Sequence, residues 1–122
     1  MSVQSVGQKF VELCSQGKNF DVMRTMYAPD IVSVEGDGKE TKGQQPVIKK
    51  SEDWATVNEF HGETVHGPFF NSANPDQFTI FFTLDITRKA TGKRITLEEV
   101  AIYTVGKNDL ITHEQFFYAG EH

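Results

Sequence analysis

The sequence predicts an α+β domain in which three helices cover one face of a curved antiparallel sheet. Helical periodicity is confined to the first sixty residues, whereas two-residue alternation dominates the second half of the chain. Turn-forming residues separate the alternating runs at intervals that suit hairpins. The 122 residues are enough for one core, so we expect a single domain over residues 1–122. Such a sheet curls around its helices and leaves a hollow in which a small ligand can bind.

The three helices are predicted from apolar residues that recur at three- and four-residue spacing. The first covers residues 3–16 and is followed by a glycine that suits a helix end. The second is capped by Asn19 and ends before Pro29. The third, over residues 46–60, has a proline in its first turn and carries Trp54 on its inward stripe.

The strands are predicted from alternation of apolar and polar residues. A short strand at residues 31–35 lies between the second and third helices, and a four-strand meander follows the third. The meander strands are expected at residues 63–70, 77–87, 94–105 and 110–118, with a polar loop over residues 71–76.

Charge and cysteine content exclude several classes of protein. The 12 basic and 17 acidic residues give a net charge of -5 without long runs of one sign, which argues against nucleic acid or a membrane as partner. Cys14 is the single cysteine, so neither a disulfide within the chain nor a thiol metal cluster can form. We see no signal peptide and no segment of ~20 apolar residues, and we expect a cytoplasmic protein.

Three glutamates, Glu35, Glu99 and Glu114, occupy strand positions where the alternation would place a hydrophobic residue. An ionised carboxylate buried without a partner costs several kcal/mol, so each must be paired, protonated or used in chemistry. With a four-residue loop before the last strand, Ala101 would lie opposite Glu114, and Glu99 would lie within about 8 Å on the diagonal. One of these two carboxyl groups should then hold its proton near neutrality.

Each glutamate also has a purely structural interpretation. Glu35 can cap the strand end or pair with a surface lysine. Glu99 and Glu114 can form a structural carboxylate pair, or a salt bridge to Arg24, Lys49 or Lys50. A register slip of one residue would turn either strand over and place its glutamate in water.

Aromatic residues on the same strand faces are predicted to line the hollow. Phe82, Tyr103, Phe116 and Tyr118 share this side, and the two phenols can donate hydrogen bonds to a ligand or pack in the core. Trp54 is a candidate stacking wall, with core burial as the alternative.

The histidines do not have the spacing of a metal site, and we expect neither metal nor cofactor. His61, at the start of the sheet, could reach the mouth of the hollow as an acid or base. A role in a loop or an interface is the alternative for this residue.

Three segments carry a family resemblance. The run YAPDIVSVEGDG at residues 27–38, the helix pair before it, and the closing EEVAIYTV and LITHEQFFY resemble the SnoaL-like polyketide cyclases and ketosteroid isomerases of the nuclear transport factor 2-like superfamily. The resemblance covers nearly the whole chain and implies a cystatin-like, cone-shaped α+β barrel. It places Glu35 where the isomerases have their aspartate base. It places Phe10 and Ala101 where they have two oxyanion donors, so steroid isomerisation is not expected.

The leading functional hypothesis is cofactor-free proton transfer by an isomerase, cyclase or lyase. Glu35 would act as base, while Glu99, Glu114 and Tyr103 would polarise or orient a small hydrophobic or partly polar ligand. The rival hypothesis is a non-catalytic module. Its hollow either holds a hydrophobic ligand passively or is filled by side chains, in which case the outer sheet face pairs two copies of the chain. That face would carry Phe81, Val100, Ile102 and Phe117.

Overall fold

The computed structural model describes residues 2–119, and the predicted fold class is confirmed: three helices lie on a curved, unclosed sheet of six strands. The elements in chain order are α1 Val3–Ser15, α2 Asn19–Met26, β1 Tyr27–Val34, β2 Glu40–Lys42, α3 Gln44–Val57, β3 Asn58–Asn71, β4 Asn74–Arg88, β5 Lys93–Val105, a 3₁₀ turn Lys107–Asp109 and β6 Ile111–Phe117. Within residues 2–119, none of the helices combines the length and the apolar character needed to cross a membrane.

The sheet is mixed, whereas the sequence predicted an antiparallel one. The strand order is β2-β1-β6-β5-β4-β3, and β1 pairs with β6 in parallel while the other neighbours are antiparallel. The parallel pair arises because α3 carries the chain from β1 to the far edge of the sheet, and the meander then returns β6 to the side of β1. The short edge strand β2 was not predicted, since three residues are too few to show alternation.

The start of α1 follows a standard capping pattern, but the start of α2 differs from the prediction. The Ser2 hydroxyl accepts a hydrogen bond from the Ser5 N–H, and the Ser5 hydroxyl accepts one from the Ser2 N–H. The predicted stop at Gly17 has a φ of 75°, which a glycine adopts without strain. Asn19 is the first residue of α2 rather than its cap, and its side chain bonds to Glu63 on β3.

The third helix is shorter than predicted, and the strand after it is longer. The chain becomes extended at Asn58, which is buried, and Phe60 already pairs with Ile86 of β4. The prediction extended α3 too far because its apolar spacing continues beyond Val57. The predicted loop over residues 71–76 is also wrong, because Asn71 pairs with Asn74 and leaves a two-residue turn.

Aromatic rings fill the centre of the space between α1 and the sheet. Phe10 of α1 is 2% exposed, and its ring centroid lies 4.5 Å from Tyr103, 5.5 Å from Phe78 and 6.4 Å from Phe82. The rings of Phe78 and Tyr103 stack at 5.1 Å. Contacts of this kind add about 0.5–1.5 kcal/mol per pair beyond burial of apolar area. The deep end of the predicted hollow is therefore part of the core.

The register between β5 and β6 differs from the prediction by two residues. Glu114 lies opposite Tyr103, and Ala101 lies opposite Phe116. The connection after Val105 is one residue longer than predicted, since Val105 pairs with Ile111, and a bulge at the next rung adds one more residue. Each change alone would turn β6 over, but together they keep Glu114 on the inward side.

We expect Phe10→Ala to lower the free energy of unfolding by about 3–5 kcal/mol, because it removes the ring that three other aromatic side chains contact. Urea denaturation measures this value. The control is Phe69→Ala, since Phe69 is 55% exposed, and it should cost less than ~1 kcal/mol. Equal losses for the two variants would contradict the assignment of the core to the Phe10 cluster.

Candidate functional site

Glu114 lies at the floor of the site, where the parallel pairing of β1 and β6 sets Ser33 beside it. Its side chain is buried, with 2% of the residue exposed. The Tyr27 hydroxyl donates a hydrogen bond to Glu114 Oε1, and Ser33 provides a second side-chain hydrogen bond. Burial raises the pKa of Glu114, and these two hydrogen bonds oppose the shift.

Glu35 lies just after the end of β1, where it is accessible to solvent. Lys50 of α3 donates from Nζ to Glu35 Oε1 at 2.5 Å, and the two side chains are 29% and 26% exposed. The Tyr118 hydroxyl donates to Glu35 Oε2 at 3.4 Å. One oxygen of the carboxylate thus contacts a cation and the other a phenol. The contact with Lys50 also fits the structural alternative for Glu35, pairing with a lysine.

Glu99 lies on the inward side of β5 and is half-buried. Burial raises the pKa of Glu99 to about 7, and the carboxylates of Glu35, Glu114 and Glu63 add to the shift. Lys50 acts in the opposite direction. A carboxylic acid with this pKa can both donate and accept a proton near neutral pH.

Two aromatic residues complete this region. Phe116 lies in β6, and Tyr118 directly follows that strand. The Lys50 ammonium lies 5.7 Å from the centroid of the Phe116 ring. The Tyr118 ring lies against Gly36, where an added Cβ would come within 2.8 Å of ring carbon, so a glycine is needed for this approach. We call Glu35, Lys50, Glu99, Phe116 and Tyr118 the inner site.

Other residues predicted for the hollow belong to the core or to a helix face. Tyr103 and Phe82 are 2% and 5% exposed and pack in the aromatic cluster of Phe10, which fits their alternative interpretation as core. Trp54 is half-buried on α3, one turn after Lys50.

His61 does not reach the mouth of the hollow. Its exposed ring contacts the Thr87 hydroxyl through Nε2 at 2.7 Å, and Thr87 lies on the outer side of β4. A bulge in β3 between Phe60 and Gly62 explains the difference, because the extra residue turns the histidine away from the helices.

Lys50 was considered from the sequence only as a salt-bridge partner of Glu99 or Glu114 and was not assigned to the site. A signal was present, since Lys50 follows Val47 by three residues and precedes Trp54 by four, which places all three on one face of α3. A charged residue on an inward helix face needs a partner, and here the partner is Glu35.

Glu63 of β3 is a second residue that was missed. It pairs with Leu84 on the inward side of the sheet, its Oε1 is buried, and that atom has no hydrogen-bond partner among residues 2–119. Burial raises the pKa of Glu63, and a hydrogen bond from Asn19 opposes the shift. Burial raises the pKa of Cys14 to about 12, and the charge of Glu63 adds to that shift. The signal was weak, because the predicted strand began at this residue.

Surface grooves also occur outside the inner site. Two surface grooves of about 480 and 370 Å³ lie around the outward side chains of β3, β4 and β5. They are lined mainly by polar residues such as Thr64, Thr83, Arg94, Thr96 and Glu98, and by no predicted site residue. In the part of the chain that the structure describes, no group of three His, Cys, Asp or Glu side chains could hold a metal ion.

Several solved structures share this fold, and two of those described next contain a bound small molecule. A candidate SnoaL-like polyketide cyclase (carbohydrate phosphatase) from Mesorhizobium loti is 39% identical, with 97% of this chain and all of that chain covered and a TM-score of 0.89. A Mycobacterium tuberculosis protein in complex with estradiol-17β-hemisuccinate is 20% identical, covers 98% and 95%, and has a TM-score of 0.73. A Catenulispora acidiphila protein with a ketosteroid isomerase-like fold, in complex with trimethylamine, is 16% identical, covers 96% and 85%, and has a TM-score of 0.70.

Sequence comparison identifies the family. No curated protein sequence matches this chain significantly. The family model described as a SnoaL-like domain matches residues 1–118, nearly the whole chain. The predicted resemblance is thereby confirmed, and the chain belongs to the SnoaL-like domain family.

Proposed function

We propose that this protein binds a small hydrophobic or partly polar molecule at the inner site and moves a proton on it without a cofactor, as an isomerase, cyclase or lyase. Glu35 is the base and Glu99 is the acid. The observation that carries this proposal is an accessible carboxylate, Glu35, held by Lys50 beside a carboxyl group with a pKa of about 7. Two carboxyl groups with different environments can divide the roles of base and acid between them.

The position of Glu35 supports its role as base. Its side chain is 26% exposed, so a ligand can reach it, and its contacts with Lys50 and Tyr118 fix its orientation. A fixed geometry is what a general base needs, because proton transfer requires close approach to the ligand carbon. The aromatic ring of Phe116 provides an apolar surface next to it.

Glu99 is suited to the role of acid because its protonated form persists to near-neutral pH. The isomerase relatives implied by the resemblance have an acid at the position of Ala101, and Glu99 precedes Ala101 by two residues on the same strand side. A protonated Glu99 can donate a hydrogen bond to a ligand oxygen on which negative charge develops.

Glu114 and Tyr103 lie behind the inner site and have a supporting role in this proposal. Both are only 2% exposed. From there the negative charge of Glu114 adds to the pKa shift of Glu99. This differs from the sequence-based hypothesis, in which both side chains contact the ligand.

The class of ligand is supported by the fold relatives. One of them binds a steroid derivative and another a small amine, and both share the architecture of this chain. The inner site combines apolar ring surface with carboxyl, ammonium and phenol groups, which suits a mostly apolar molecule that carries a carbonyl or hydroxyl group.

Glu35→Gln should reduce proton abstraction at least about 100-fold, because the amide cannot act as a base. The measurement is hydrogen–deuterium exchange by NMR, at carbons next to the carbonyl group, in a panel of mono- and polycyclic ketones. The control is Glu40→Gln on β2, where the glutamate is exposed. Exchange that is catalysed equally by wild type and Glu35→Gln would remove Glu35 from the mechanism.

The stability of the protein should depend on pH through Glu99. Its folded pKa of about 7 exceeds the ordinary value of 4.5, so the folded state keeps a proton that the unfolded state releases. The stabilisation by this proton is complete at pH values below the ordinary pKa and is lost as the pH rises through the folded pKa. The total loss in the free energy of unfolding is on the order of 3 kcal/mol. Urea denaturation at about pH 5 and about pH 8 should show a larger loss in wild type than in Glu99→Gln.

The control for this pH effect is Glu98→Gln, which changes the neighbouring outward-facing, exposed glutamate. It should retain the wild-type pH dependence. If Glu99→Gln and Glu98→Gln had the same pH dependence as wild type, Glu99 would not be the acid that we propose.

We propose in addition that the outer face of the sheet pairs two copies of the chain. Phe81, Val100 and Phe117 are direct neighbours across β4, β5 and β6, which makes one apolar row on the outer side. Phe117 is 47% exposed. An apolar row of this kind is a candidate interface for a symmetric homodimer.

Sedimentation velocity at micromolar concentration should show a dimer for wild type and a monomer for Phe117→Lys, because a charge in the apolar row opposes pairing. Val57→Lys, at an exposed position of α3 on the opposite face of the sheet, is the control and should stay dimeric. A monomeric wild type would refute the interface.

A further inference from the structure

We propose that Lys50 is the positioning residue of the inner site: it fixes the Glu35 carboxylate at the mouth and, through Ser33, holds Glu114 beneath it as a hydrogen-bond acceptor. Glu99 is then the carboxyl group that carries the exchangeable proton. This inference rests on the proposed function, since it states how Lys50 positions the base of that function and favours ionisation of its acid.

The contacts of Lys50 join two layers of the site. Its Nζ lies 2.5 Å from Glu35 Oε1 and 2.7 Å from Ser33 Oγ. Glu35 is accessible, whereas Ser33 is fully buried. An ammonium group has three N–H donors, so it can serve both oxygens at once. Lys50 thereby connects the solvent-facing carboxylate to the interior.

Ser33 passes the effect of Lys50 to Glu114. A lysine ammonium can only donate, so the Ser33 hydroxyl must accept from it and has its own proton left to donate. Glu114 is its direct neighbour across the β1–β6 pair and shares a side-chain hydrogen bond with it. Tyr27 donates to the same carboxyl group. Two donors directed at Glu114 favour its carboxylate form.

The charges around Glu99 show why a cation is needed. Glu35 after the end of β1, Glu114 on β6 and Glu63 on β3 each disfavour ionisation of Glu99 through their negative charge. Lys50 on α3 is the group with the opposite effect. Tyr103, on the same strand as Glu99, is a buried phenol whose pKa burial raises, so it stays neutral. The ammonium of Lys50 therefore offsets part of the effect of these carboxylates on Glu99.

The neighbouring lysine provides a matched comparison. Lys49 is 69% exposed and forms its ion pair with Asp53 one turn along the same helix. Lys49 carries the same charge as Lys50 and lies on the same helix, but it does not contact the inner site. Exposed ion pairs of this kind contribute little to the stability of the folded protein.

The experiment is a carbon-13 NMR titration of the glutamate side-chain carboxyl groups in the protein alone, assigned with Glu→Gln variants. In Lys50→Met we expect the midpoint of Glu99 to move to higher pH than in wild type, because the attraction that favours its ionised form is lost. Lys49→Met should leave the midpoint unchanged, and Lys50→Arg should return it towards the wild-type value. Ser33→Ala should raise the midpoint of Glu114, since one hydrogen-bond donor to its carboxylate is removed.

A Glu99 midpoint that moves no more in Lys50→Met than in Lys49→Met would overturn the proposal, as would an unchanged Glu114 midpoint in Ser33→Ala. Amide NMR spectra show whether each variant is folded, and Ser33→Ala and Lys50→Arg still test the proposal if Lys50→Met is not. The titration needs no ligand, so it is independent of the proposed function. Loss of that function would appear as absent ketone exchange with the midpoint shifts intact, whereas failure of this proposal would appear as unchanged midpoints.

Discussion

The parallel pairing of β1 with β6 is the constraint on which the inner site depends. It brings Ser33 beside Glu114 and places the residues that follow β6 next to the end of β1. Tyr118 then lies over Gly36 and reaches Glu35. The groups of the site come from opposite ends of the sequence, so only this tertiary contact can assemble them.

Burying a carboxyl group on the inward side of this sheet costs free energy of folding. Burial disfavours the charge of Glu114, and the hydrogen bonds from Tyr27 and Ser33 offset only part of that cost. An apolar side chain of similar size is in general at least as stabilising at a buried ionic position. In the proposed function this network has a use, because the charge of Glu114 raises the proton affinity of Glu99 nearby.

Local sequence patterns predicted the helices and the antiparallel hairpins well, because their contacts lie close along the chain. The inward facing of Glu99 and Glu114 was also predicted, although the register between their strands was not, since a longer connection and a bulge cancelled in their effect on facing. The parallel β1–β6 pair leaves no signal in alternation. The contact of Glu35 with Lys50 could not be assigned for the same reason, because it requires knowing which strand α3 covers.

The polar groups of this site lie nearer the mouth of the hollow than in the pattern that the isomerase resemblance implies. The positions of its two oxyanion donors are occupied by Phe10 and Ala101, both buried in apolar surroundings. Donors occur instead at the mouth, where Lys50 and Tyr118 flank Glu35. In the proposed reaction a developing negative charge must be met by a donor within hydrogen-bond distance, which places the reacting oxygen beside Glu99, Lys50 and Tyr118 and not in the deep end. In the proposed reaction the packed aromatic cluster of Phe10 closes the deep end, so the reacting part of a ligand stays beside the carboxyl groups.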